Sequence, residues 1–129
     1  MSGESGAWLQ YARENLKVAE MTLQAGLLNP CLQNAQQAVE KALKAIRGRR
    51  GLALKRTHSI RDLNRDLVAS GVTTGLGEDD CDLFDSIYVR SKYPLDSVLP
   101  DSPPDVSTCE HCVKRAAQVL AMAEGLLEG

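Results

Sequence analysis

A chain of 129 residues amounts to one domain and can bury a single hydrophobic core. With 43% apolar and 25% charged residues it has the proportions of a soluble globular domain, and no apolar run is long enough to span a bilayer. The net charge of −2 hides an asymmetry: Lys41 to Arg65 carries nine cations against Asp62 alone, a net +8 balanced by acidic residues elsewhere. Aromatic residues are only 4%, so the core must be aliphatic and Ala-rich, which suits close helix packing better than a β-sandwich. The start, MSGESGAW, lacks the basic and apolar regions of a secretory signal, so a cytoplasmic home is expected. In that compartment Cys31, Cys81, Cys109 and Cys112 are expected to be small buried hydrophobes rather than disulfides.

The first predicted helix covers about Ser5 to Ala25, with Trp8, Ala12, Leu16, Ala19 and Leu23 as its inward stripe. Gly26 ends it, and Asn29 and Pro30 read as the cap and first residue of a second helix reaching Arg47. Leu32, Ala35, Val39, Ala42 and Ile46 face inward there, flanked by a small-residue stripe of Cys31, Ala38 and Ala45. Gly48 and Gly51 bracket a basic loop. Thr57 and Ser59 are cap candidates for a short third helix carrying Ile60, Leu63 and Leu67. Gly71 to Gly77 reads as a loop, and Asp79 and Asp80 suit the positive end of a fourth helix with Leu83 or Phe84, Ile87 and Tyr88 inward. That helix ends before Pro94. The segment Tyr93 to Asp105 has no helical period, and Tyr93-Pro94 is expected to anchor the chain by packing. Cys109, Val113, Ala116, Leu120, Ala123 and Leu127 then mark a last helix to Leu127. No strand pattern or repeat occurs, so residues 1–129 should form one all-α domain. Its expected architecture is an antiparallel up-and-down four-helix bundle with an additional short helix.

Three stretches, taken in series, carry a resemblance. They are Ala35-Gln36-Gln37-Ala38-Val39-Glu40-Lys41-Ala42-Leu43-Lys44-Ala45, then Lys55-Arg56-Thr57-His58-Ser59-Ile60-Arg61-Asp62-Leu63, then Tyr88-Val89-Arg90-Ser91-Lys92-Tyr93-Pro94. Their order and spacing resemble the HEPN family (higher eukaryotes and prokaryotes nucleotide-binding). Its members commonly show an AQQAVEKALKA-type helix, a Thr-His step and a Tyr-x-x-x-Arg-Tyr-Pro ending. Lys92 stands where that ending usually has Arg, keeping the charge but losing the planar fork. The resemblance implies a helical bundle that often dimerises, and for many bacterial members a minimal nucleotidyltransferase partner in a toxin–antitoxin pair. A ribonuclease branch carries an Arg-x(4–6)-His motif at its dimer interface. That motif is absent here: Arg50 lies too far before His58 and Arg56 too close, and Pro104, Asp105 and Val106 precede His111 at the required spacing.

The candidate site residues for a nucleotide or RNA phosphate are Gln37, Lys41, Arg49, Arg50, Arg56, His58, Arg90, Lys92 and Tyr93. The basic loop reads either as an anion site supported by the helix start at Thr57/His58 or as a solvated helix end. Little aromatic content lies near it in sequence for base stacking. Gln37 and Lys41 share one helical face, pointing either into a dimer cleft or to solvent. His58 is either a ligand contact or a hydrogen bonder at the helix start. Cys109-Glu110-His111-Cys112 has no second ligand pair, so no metal is expected; nor is a cofactor. No phosphate loop, nucleophile elbow, metalloprotease motif or nucleotidyltransferase signature is present. The reading is a non-catalytic, homodimeric nucleotide- or RNA-associated module, with the small-residue stripes of the second and last helices as the expected surface for the second copy. The alternatives are a ribonuclease toxin with an atypical site around His58 and Arg56 or Arg61, and a structural adaptor with only protein partners.

Overall fold

The structure is a computed structural model and describes residues 3–53, 55–93 and 104–128. Among them are five helices and no strand: α1 (Gly3–Gln24), α2 (Leu28–Arg49), α3 (Ile60–Ala69), α4 (Glu78–Lys92) and α5 (Val106–Glu128). The expected all-α bundle is present. Gly26, with φ of 76°, turns α1 into α2 in a conformation that costs other residues a steric penalty. Trp8 lies against Lys44 and Asn15 bonds Asn34, so the two helices run antiparallel. Helix α5 runs against α1, where Arg13 meets Glu124 at 2.8 Å, and begins beside the start of α2, where Cys109 faces the Leu28 carbonyl. Helix α4 runs back along α2, with Tyr88 at the level of His58 and Ile87 beside Leu32. The four long helices thus alternate in direction, and α3 is the short addition.

Helix α2 is the centre and packs on all four others. Its predicted stripe, Leu32, Ala35, Val39, Ala42 and Ile46, is buried, and so are Cys31, Ala38 and Ala45. Alanine and cysteine give α2 the close approach it needs to be surrounded on several sides. The α5 stripe behaves likewise: Cys109, Cys112, Ala116, Leu120, Ala123 and Leu127 are buried and Val113 is half-buried. Both small-residue stripes are therefore consumed inside the chain. They do not form a surface for a second copy, contrary to expectation. Phe84, not Leu83, is the fully buried residue of α4 and heads the largest buried side chains.

Three other local expectations change. Asn29 is not the cap of α2: the helix begins at Leu28 after Leu27, with no side-chain cap. Pro30 still falls in the first turn, where its missing N–H costs nothing. Helix α2 also runs through Gly48 to Arg49 instead of stopping at Arg47. Gly48 sits there because α1 crosses closely; a Cβ at that position would stand 2.5 Å from Ser5 Oγ. Tyr93 does not anchor the chain by packing, for it is 60% exposed at the end of α4. Pro94 and residues 95–103 lie outside the described residues. Among the described residues, no helix is long and apolar enough to cross a membrane.

Candidate polar site between helices α2, α3 and α4

The buried face of α2 carries a carboxylate. Glu40 stands between Val39 and Lys41 and is fully buried. A carboxylate out of water is costly unless it is paired and hydrogen-bonded. Its partners come from its own helix and from the segment before α3. Lys44 Nζ lies 3.0 Å from Oε2, Lys41 Nζ 3.5 Å, and Gln36 Nε2 donates to Oε1 at 3.3 Å. His58 places Nδ1 at 3.2 and 3.3 Å from the two carboxylate oxygens. Burial alone would push the Glu40 carboxyl up; the Lys41 charge, then the Lys44 hydrogen bond and charge and the His58 charge outweigh it, and the carboxyl is held below its ordinary value.

The lysines are themselves sequestered, with side chains only 18% (Lys41) and 10% (Lys44) exposed. The indole of Trp8 from α1 lies 5.8 Å from the Lys41 ammonium and 5.2 Å from that of Lys44, within cation–π range. Lys41 also donates to Gln37 at 2.6 Å, and Gln37 donates to Gln36 at 2.7 Å. Gln37 and Lys41 thus share one face of α2. It is one side of a polar network.

His58 closes that network from across the gap. Its ring stacks on Tyr88 at 4.6 Å with 14° between planes, and Lys92 Nζ lies 5.6 Å from the Tyr88 ring centre. An ionised carboxylate accepts only, so Nδ1 donates to Glu40. The histidine side chain is 54% exposed, and Nε2 makes no hydrogen bond among the described residues. Beside the network, a cleft of about 190 Å³ is lined by Trp8, Lys44, Arg47, Leu52, Ala53 and Lys55.

The helix start at Thr57/His58 does not contribute as expected. Ser59 caps α3 by accepting from the Asp62 amide. Asp85 of α4 takes the amides of Ile60 (2.6 Å) and Arg61 (3.3 Å), and Ser59 Oγ at 3.2 Å. An internal carboxylate thus occupies the place an anionic ligand would take at that helix end. His58 turns its side chain to Glu40 instead of bonding the helix start.

The basic loop is likewise divided. Arg47 and Lys55 both meet Asp66, at 2.7 and 2.9 Å. The Lys55 hydrogen bond leads in holding that carboxyl below its ordinary value, against the opposing effect of burial. Arg50 donates to the Ser70 carbonyl beyond α3, and Arg61 pairs with Glu78 and Asp82. Arg49 and Arg50 border a depression with Ser70 and Leu126 at the C-terminal end of α2, whereas Gln37 lies mid-helix. Arg90 lines a separate groove with Asn29, Leu32, Gln33, Ile87 and Ser91. Arg56 is exposed two residues before His58. Of the nine candidates, Gln37, Lys41 and His58 belong to one network and Lys92 joins it through Tyr88; Arg49 and Arg50 lie elsewhere, Arg90 lines the separate groove, and Arg56 and Tyr93 are exposed. The residues missed were Trp8, Gln36, Glu40 and Tyr88. Glu40 was legible as a charge on an apolar stripe, whereas Trp8 and Tyr88 are joined to it only by the fold.

The HEPN domain profile matches residues 5–126, nearly the whole chain. The chain belongs to the HEPN family. The crystal structure of TT1696 from Thermus thermophilus superposes with a TM-score of 0.78 at 30% identity, covering 97% of this chain and 99% of that one. An archaeal HEPN homologue, ST0689, shares the fold with a TM-score of 0.72 at 23% identity over 96% of this chain and 98% of its own. A HEPN domain protein of Thermotoga maritima gives 0.52 at 22% identity over 95% and 92% of the two chains. No curated protein matches the chain. The HEPN bundle here carries its polar network where the three stretches of resemblance converge: Gln36 to Lys44, His58, and Tyr88 to Lys92.

Proposed function

We propose that this HEPN chain is a non-catalytic binding module that holds a nucleotide or RNA phosphate at the Glu40–His58 network. The observation that carries the reading is the gathering of Lys41, Lys44 and His58 on one buried carboxylate, with the half-exposed His58 ring stacked on Tyr88, whose ring Lys92 also approaches. Glu40 positions the cations and Trp8 covers two of them, so the arrangement is fixed before a ligand arrives. Trp8 and Tyr88 also supply the aromatic surfaces that the sequence alone did not place near the basic residues. The module acts as a homodimer, and its protein partner is a minimal nucleotidyltransferase of a toxin–antitoxin pair; both follow from the HEPN resemblance. The exposed Tyr11, Val18 and Met21 of α1 are among the apolar residues available to a protein partner; the buried small-residue stripes are not.

Thermal shift with ATP, GTP and a short single-stranded RNA, at low and moderate salt, tests the reading. Salt-sensitive stabilisation that is weakened by His58→Ala and Lys92→Gln is expected. Absence of any shift favours an adaptor with only protein partners. A second reading draws on the same His58, because a carboxylate behind one ring nitrogen and an open second nitrogen is an arrangement used by general bases. RNA cleavage by the purified chain that disappears in His58→Ala would establish that ribonuclease reading instead.

A further inference from the structure

We propose that the cleft between Trp8 and the loop after α2 receives the terminal phosphoryl group of a nucleotide or RNA, a phosphate monoester, as distinct from the diester inside a chain. The inference rests on the phosphate-binding reading and adds to it where the phosphate sits and that it is a chain end.

Cations from two segments come together around this cleft of about 190 Å³. Lys44 and Arg47, three residues apart, share a face of α2, and Lys55 joins them from the loop. Half-buried Trp8 and Leu52 are apolar parts of the lining. Among the described residues each ammonium donates one hydrogen bond, Lys44 to Glu40 at 3.0 Å and Lys55 to Asp66 at 2.9 Å. An ammonium has three hydrogens, so donors remain for a phosphate oxygen. Lys44 also belongs to the Glu40–His58 network, so the cleft and the network meet at that residue. Glu40 serves Lys41 as well as Lys44, and Asp66 serves Arg47 as well as Lys55. Against an anion stands Glu4 of α1, which lines the cleft and is exposed.

The walls are set without a ligand. Arg47 donates to Asp66 at 2.7 Å and to the Ala53 carbonyl at 2.8 Å, which ties the loop to α2. The carbonyls at the end of α2, which would repel an anion, are engaged: those of Ile46, Arg47 and Gly48 accept from the amides of Arg50, Leu52 and Gly51. Size then selects the ligand. Pockets that hold whole small molecules start at about 300 Å³, so this cleft holds a single group and leaves the nucleoside outside. A terminal phosphoryl has one ester link and enters by its three free oxygens. A diester has links on both sides, and both would have to fit. The monoester also carries the larger charge, about −1.5 to −2 near neutrality, for the two lysines to meet.

Titration of the full chain with a short RNA in three forms, bearing a 5′-phosphate, a 3′-phosphate or neither, tests this by calorimetry and by the fluorescence of Trp8 in the cleft wall. A phosphorylated form is expected to bind about tenfold tighter than the unphosphorylated one, the effect of one charge-assisted hydrogen bond. Lys55→Gln is expected to remove most of that preference; circular dichroism checks that the variant is folded. Glu4→Gln, an exposed substitution that keeps the test open if Lys55→Gln does not fold, should tighten the phosphorylated form about twofold at low salt. Equal affinity for all three forms overturns the chain-end assignment and leaves phosphate binding standing. A preference kept in folded Lys55→Gln, or an affinity unaltered in Glu4→Gln, moves the phosphate out of the cleft and overturns its placement. No binding of any form overturns the inference and the phosphate-binding reading together.

Discussion

Replacing Glu40 with Gln keeps the shape of the side chain and removes the charge that organises the network. Lys44 is 3.0 Å away and Lys41 3.5 Å, with 10% and 18% of their side chains exposed. At an effective permittivity of about 20, a charge pair at such a distance is worth roughly 5 kcal/mol before desolvation is counted. Burial of all three groups cancels much of that gain, but removing one partner leaves the desolvation of the others uncompensated. Breaking a buried pair in this way costs about 3–5 kcal/mol. Against a total stability of about 5–15 kcal/mol for a domain, that is a large fraction. Urea unfolding followed by circular dichroism should show a lower midpoint with an unchanged slope. The triple variant Glu40→Gln, Lys41→Met, Lys44→Met should regain a substantial part of the loss, because no buried charge is then left alone. A loss below about 1 kcal/mol in the single variant would refute the reasoning, since it matches an exposed pair. The pH dependence follows the same carboxyl. Its folded value lies below the ordinary 4.5, so its stabilisation is present above that pH and is lost as pH falls through the folded value. Acid unfolding should therefore include a component below pH 4.5 that Glu40→Gln lacks.

Other substitutions probe the supports of the site. Asp85→Ala frees the Ile60 and Arg61 amides and should cost about 1–3 kcal/mol in urea unfolding, with faster amide exchange at the start of α3; unchanged exchange there would contradict the assignment. Asp80 links α4 to α5 through His111 at 2.8 Å and Arg115 at 3.3 Å, so Asp80→Asn should cost about 1–2 kcal/mol, while an unaltered unfolding midpoint would mean that this clasp contributes nothing. All four cysteines are buried, and burial pushes the Cys31 thiol up to about 11 and the Cys112 thiol up to about 12. A thiol reagent at pH 8 should therefore label none of them in native buffer and all four in denaturant; rapid native labelling would place a thiol at the surface.

The fold was largely legible because its signals are local. The stripes of α2 and α5 set which faces are buried, Ser59 marks the start of α3, and Gly26 marks the first reversal. Errors came where tertiary packing overrides a local rule. Gly48 lies inside α2, where the crossing Ser5 leaves no room for a Cβ, and α2 starts without using Asn29 as its cap. The small-residue stripes look like spare surface until α1 and α5 are seen to cover them. The site was less legible, for similar reasons. Positive charge density suggested one basic loop, but Asp66, Ser70, Glu78 and Asp82 each draw cations away from it. His58 was identified from its motif, while its carboxylate partner is 18 residues away in sequence and its stacking partner lies on another helix.

Trp8 is the chain's single tryptophan and lies against Lys41 and Lys44, so its fluorescence reports directly on the network. The most direct test of the account is titration of that fluorescence with AMP at low and moderate salt, in the native chain and in His58→Ala, Lys44→Gln and the pair Arg49→Gln, Arg50→Gln. The account predicts a saturable, salt-weakened change that is reduced in the His58 and Lys44 variants and retained in the Arg49/Arg50 variant. No change in the native chain, or a change reduced only by the Arg49/Arg50 substitutions, would contradict it.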